Sequence, residues 1–157
     1  MDHRNGNYRV TDALARPIVD SRGMNILLAY DGSEGARRAL EVVLALAREG
    51  DRVTVAGVAE GIPLYGYVSA LPSEADEEER QRQLEEAEAT LVEHGVPAAI
   101  VRRSGDAASA ILDEADKQGA DLIVLGTRGL SAAERWLVGS VSTKVLHHAV
   151  CSVLVAR

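Results

Sequence analysis

The chain has 157 residues, 46% of them hydrophobic, 26% charged and only 3% aromatic, with no Phe and a net charge of -7. That length suits one domain with an aliphatic core, buried without disulfides or metals. The negative charge, with Lys117 and Lys144 the only lysines, excludes a basic track for nucleic acid, and no apolar run reaches the roughly 20 residues of a membrane span.

Residues 1–23 combine scattered charge, glycines and one proline without the apolar stretch of a secretion signal, so they are expected to form a flexible N-terminal extension, with the folded domain at 24–157. Cys151 stands alone, which rules out an internal disulfide or a CxxC pair and fits a reducing, cytoplasmic setting. It reads as a small apolar residue at the edge of the core.

Asn25-Ile26-Leu27-Leu28-Ala29-Tyr30 is a continuous apolar run that ends in Asp31-Gly32-Ser33, the pattern of a strand buried on both faces and then a turn. Ser33 is placed to cap a helix from Glu34 to Arg48, with Ala36, Ala39, Leu40, Val43 and Ala47 inward and Gly50 as its stop. A strand at Val53 to Ala59 precedes residues 60–72, which read as a long loop rich in glycine and proline, suited to a lid or a partner surface. Ser73 to His94 forms an amphipathic helix with Leu84, Ala87, Leu91 and Val92 on its apolar stripe and Gly95 at its end. Its acidic start, Asp76-Glu77-Glu78-Glu79, reads as a solvated first turn that complements the helix dipole, because consecutive helical positions point in different directions.

Pro97 to Arg102 gives a short strand. Asp106 caps a helix through Lys117, with Ala107, Ala110, Ile111 and Ala115 inward and Gly119 closing it. A buried strand at 121–125, a helix from about Ser140 to His148 and a strand at 152–156 complete the chain. Five strands alternating with four helices imply parallel pairing with right-handed crossovers, hence an α/β three-layer sandwich. Ligands in such sheets bind at the carboxyl ends of the strands, where Asp31 and Gly126 lie.

The strongest motif is bipartite: Gly126-Thr127-Arg128-Gly129, nine residues, then Gly139-Ser140-Val141-Ser142. Glycines at a strand end let backbone N–H groups approach an anion, and Gly139-Ser140 sits where a helix N-terminus adds its dipole. Ser140 and Ser142 can offer hydroxyls and Arg128 a charge to a nucleotide triphosphate. Asp31 reads either as a turn or capping residue or as a ribose ligand, since a carboxylate can accept from two vicinal hydroxyls. No Gly-x4-Gly-Lys-Ser/Thr, Gly-x-Ser-x-Gly or His-Glu-x-x-His pattern is present, so P-loop, serine-hydrolase and zinc-protease chemistries are not indicated. His147 and His148 diverge by about 100° on a helix and are not read as a shared metal site. Arg135 and Trp136 between the glycine halves shape a phosphate lid, a dimer surface or ordinary surface packing.

Gly-x2-Gly-x9-Gly-Ser after a strand ending at Leu125, in a chain whose first strand ends in Asp31-Gly32-Ser33, closely resembles the universal stress protein family in its ATP-binding branch. The resemblance covers about residues 24–157. It implies a five-stranded parallel sheet of order 3-2-1-4-5, Rossmann-like and akin to the adenine nucleotide alpha hydrolases. It also implies ATP between the first and fourth strand ends, with Mg2+ held through the phosphates and no dedicated metal ligands. Ala29, Tyr30 and Asp31 would lie beside the adenosine, with Val58 at the adenine, Leu125 and Gly126 flanking the nucleoside, and Arg128, Gly129, Gly139, Ser140, Val141 and Ser142 on the phosphates. The family implies a homodimer through the last strand, about 152–156, consistent with the apolar edge Val153, Leu154 and Val155. Tyr30 is bulkier than the small residue often found there, Ser152 replaces a common proline, and residues 1–23 have no family counterpart. The function implied is that of an ATP-binding, nucleotide-responsive regulator in stress response with an unidentified partner protein and no catalytic residue. The alternatives are a slow ATPase or adenylate-handling enzyme, and a non-nucleotide interaction protein on the same fold.

Overall fold

The computed structural model describes residues 23–59, 73–127 and 139–157 in full and residues 62–64 and 67–70 as backbone. The expected extension at 1–23, apart from Gly23, lies outside the described residues, as do Arg128, Gly129, Arg135 and Trp136. In chain order the elements are β1 (Asn25–Ala29), α1 (Glu34–Leu46), β2 (Arg52–Ala59), β3 (Ile62–Leu64), β4 (Tyr67–Ala70), α2 (Glu74–Glu93), β5 (Ala98–Ser104), α3 (Ala107–Gln118), β6 (Leu122–Gly126), α4 (Ser140–His148) and β7 (Ser152–Ala156).

The main sheet has the order β5-β2-β1-β6-β7 with every pairing parallel. In main-sheet numbering that is 3-2-1-4-5, the order the family resemblance implies, with the parallel pairing that the alternation implies. β1 is central and covered on both faces, which is why its run does not alternate: Ile26 and Leu28 join the cluster under α1 and α2, while Leu27 joins the one under α3 and α4. The order reverses direction beside β1, so the carboxyl ends of β1 and β6 diverge to open a crevice.

Several local expectations are corrected. Residues 60–72 contain the antiparallel pair β3 and β4 where a loop is expected, with a register shift at Ile62/Pro63. A two-stranded ribbon leaves each strand a free edge, so Pro63 is tolerated there. Helix α1 ends at Leu46, short of Arg48, because the buried Asp51 carboxylate accepts from the backbone N–H of Arg48 at 2.9 Å and of Met24 at 2.7 Å and draws the chain out of the helix. Strand β5 runs on to Ser104, paired with β2. On α2, Leu84, Ala87 and Leu91 are buried but Val92 is 55% exposed, one position off the stripe. On α3 the inward face is Ala108, Ile111 and Ala115, with Ala107 and Ala110 half-buried at its margins.

The helix caps follow local chemistry. Ser33, Ser73 and Asp106 accept from backbone N–H groups in the first turns of α1, α2 and α3. At Ser73 the cap is reciprocal, since Asp76 accepts from its backbone. The acidic start of α2 is thereby used in capping and in ion pairs of Glu77 with Arg80 and Glu79 with Arg82.

Candidate functional site

The crevice begins at the end of β1. Gly32 has φ +74°, a left-handed conformation that glycine adopts without Cβ strain. The turn it makes is closed by Asp31, whose Oδ1 accepts from Ser33 N at 3.0 Å, and Ser33 Oγ accepts from Ala36 N at 3.1 Å to start α1. Asp31 is thus both a turn residue and a half-buried carboxylate at the strand end. Tyr30 is buried within the α1–α2 cluster beside Ala36, Leu40 and Leu84, so its bulk is absorbed by the core. Burial raises the pKa of its hydroxyl, partly offset by a hydrogen bond with Arg37.

The glycine motif folds back on itself. Gly126 ends β6, and a Cβ there would stand 2.4 Å from the backbone carbon of Gly35 in α1, so β6 reaches the first turn of α1 only because Gly126 lacks a side chain. The next residue, Thr127, donates its N–H to Ala156 O at 3.0 Å and accepts from Gly139 N at 2.6 Å. Ser142 is buried and its hydroxyl donates to Gly139 O at 3.0 Å, with Thr127 O at 3.3 Å. Its side chain therefore ties the two halves of the motif together. Among the helices of the described residues, α4 alone receives no side-chain hydrogen bond from its N-cap, Gly139. Its leading N–H groups combine with the helix dipole to favour an anion. Lys144, midway along α4, reaches Asp106 at the start of α3 at 3.1 Å, an exposed ion pair between the two helices. Asp106 is held at a pKa of about 2 by the Ser109 backbone and side-chain hydrogen bonds and then by Lys144.

These segments enclose a cavity of about 560 Å³, a size suited to a small organic ligand. Ala29, Tyr30, Asp31, Val58, Leu125, Gly126, Gly139, Ser140, Val141 and Ser142 all line it. Of the residues expected at the site, only Arg128 and Gly129 are not placed, since they fall outside the described residues. The cavity also has a wall that the sequence reading misses, made by Arg80, Gln81, Gln83 and Leu84 of α2 with Arg102 and Arg103 of β5. Arg103 is ion-paired with Glu114, which is 3% exposed and also accepts from Gln118. The arginine pair could have been noticed by applying the strand-end rule to β5 as well as to β1 and β6. The glutamines of α2 carry no local signal. Among the described residues, no group of three or more His, Cys, Asp or Glu side chains is arranged to hold a metal ion, and no helix is long and apolar enough to cross a membrane.

A scan of family models matches the Universal stress protein family over residues 24–157. A relative from Thermus aquaticus, described as a universal stress protein in QAH/OAS sulfhydrylase 3'region, is 41% identical over 138 residues, covering 84% of this chain and 97% of its own length. Among solved structures, the universal stress protein from Archaeoglobus fulgidus in complex with dAMP superposes with a TM-score of 0.68 at 24% identity, covering 87% of this chain and 99% of that one. A universal stress protein family member from Arabidopsis thaliana with AMP bound gives a TM-score of 0.60 at 20% identity, covering 85% and 90%. At those identities the two structures support the fold.

Proposed function

The chain belongs to the universal stress protein family, and on that premise we propose that its cavity binds an adenine nucleotide, ATP with Mg2+ carried on its phosphates, as the signal of a regulatory protein. The observation that carries this reading is the pairing across one cavity of the side-chain-uncapped N-terminus of α4 with the Asp31 carboxylate. The first suits phosphate and the second suits vicinal ribose hydroxyls. Two structural relatives described as bound to dAMP and AMP favour the same ligand class.

In this reading Leu125 and Gly126 flank the nucleoside, Val58 lines the base, and Arg128 and Gly129 complete the phosphate loop. No residue is assigned a catalytic role. The regulatory surface is proposed to be a homodimer formed along β7. Among the described strands it pairs with β6 alone, and its half-buried Val153, Leu154 and Val155 lie at the edge of the sheet.

The test is a titration of the purified chain with Mg-ATP, AMP and Mg-GTP by calorimetry, repeated with Asp31→Ala. Saturable adenine-nucleotide binding, weakened about tenfold by loss of the ribose hydrogen bonds, supports the reading. A parent protein that takes up none of the three nucleotides would refute it.

A further inference from the structure

We propose that Gln81 on α2 reads the base edge of the bound nucleotide by accepting a hydrogen bond from a ring amine, and so selects adenine over purines that lack one. This deepens the nucleotide reading and rests on it.

The sheet order lays the cavity out along a line. Phosphate-type groups gather at β6 and α4, Asp31 stands at the end of β1, and Val58 at the end of β2. Successive strands are about 4.8 Å apart, so two strand steps from β6 reach β2, a span comparable to a nucleoside. Helix α2 packs on β2 and β5, beyond the far end of that line, where the base would lie.

On that wall Gln81 carries a defined polarity. Its Nε2 donates to Glu85 Oε1 at 2.5 Å. Turning the amide over would set its oxygen against the Glu85 carboxylate, acceptor facing acceptor, so the contact fixes Nε2 outward toward Glu85 and leaves Oε1 as the free acceptor. That oxygen is buried and has no hydrogen-bond partner, although the residue as a whole lines the cavity and is only half-buried. A buried carbonyl oxygen without a donor is unfavourable. Gln81 lines the cavity, so in the proposed complex the oxygen turns toward it, where a ligand N–H satisfies it. An exocyclic amine supplies that donor, whereas a ring carbonyl in the same place opposes it with lone pairs. Arg102, exposed on the same wall, is the competing reader, since a guanidinium would favour the carbonyl.

Calorimetry with AMP, purine riboside 5'-monophosphate and IMP separates these possibilities: the second lacks any group at the ring position and the third bears a carbonyl. The parent is expected to bind AMP about tenfold tighter than purine riboside monophosphate, with IMP weakest. In Gln81→Leu the AMP preference over purine riboside monophosphate should fall to about one, with purine riboside affinity retained. Glu85→Ala, which releases the amide, should reduce the preference in part. Tighter binding of IMP than AMP, or a preference unchanged in Gln81→Leu, would overturn the assignment while leaving nucleotide binding intact. Failure of the parent to bind any of the three would overturn both.

Discussion

Gly126→Ala tests how the crevice is built, because the added methyl has nowhere to go. Its Cβ would lie 2.4 Å from Gly35 C, 2.7 Å from Gly35 O and 2.8 Å from Gly35 Cα, all backbone, while ordinary contact begins at 3.4 Å. Strand β6 and the first turn of α1 must therefore separate by about 1 Å, against their own hydrogen bonds. Overpacking in a close-packed interior costs about 1–3 kcal/mol, and an unyielding backbone neighbour places this site near the top of that range. For a domain of this size the melting temperature should fall by roughly 4–12 °C. Gly57→Ala is the matched control: its Cβ meets Leu84 Cδ1 at 2.6 Å, a methyl on a rotatable side chain, so the loss should be smaller. Thermal unfolding followed by circular dichroism compares the two, and calorimetry should show weaker AMP binding in Gly126→Ala because Asp31 moves with the turn. If Gly126→Ala melts with the parent, or no lower than Gly57→Ala, the close approach of β6 to α1 is not what shapes the site.

Three further outcomes follow from the packing and charges. Leu91→Ala on the fully buried face of α2 should cost about 2–5 kcal/mol in urea unfolding, whereas the adjacent, largely exposed Val92→Ala should stay within about 0.5 kcal/mol. Asp51→Ala strands the N–H groups of Met24 and Arg48 and should cost about 2 kcal/mol by the same assay, with Asp51→Asn, which keeps one accepting oxygen, falling between. The carboxyl of Asp106 is lowered from 3.8 to about 2 in the folded state, so the unfolded chain binds more protons between those values and stability falls as pH drops from about 4 to about 2. Asp106→Asn should flatten that limb of a melting-temperature profile, and an unchanged slope would contradict the assignment. Asp76, whose pKa is lowered by Ser73, contributes in the same direction, so its slope remains in the variant.

The legible part of this molecule is the part whose physics is local. The doubly buried β1 and the caps at Ser33 and Asp106 each depend on residues a few positions apart, and each is readable from the chain. The structure departs from the local pattern where a group outside the element decides the outcome. Helix α1 stops early because of Asp51, whose carboxylate reaches back to Met24 as well as to Arg48. The inward face of α3 turns by about one residue and includes Glu114, a charge that burial would forbid without Arg103 from β5.

The same distinction explains why one end of the cavity announces itself and the other does not. On the proposed reading the β6–α4 end is an anion cradle, which needs bare backbone, and bare backbone is written as glycine at fixed spacing, so that end is visible in the chain. The opposite wall uses ordinary side chains, Gln81 and Gln83 on α2 and Arg102 and Arg103 on β5, whose meaning comes only from the parallel sheet that sets β5 beside β2. On the proposed reading, the phosphate-binding end can therefore stay constant while α2 is rewritten. Selectivity for the base would then be adjustable without touching the glycine motif, and exchanging residues 80–84 between relatives should change which purine is preferred while leaving the affinity for the phosphates in place.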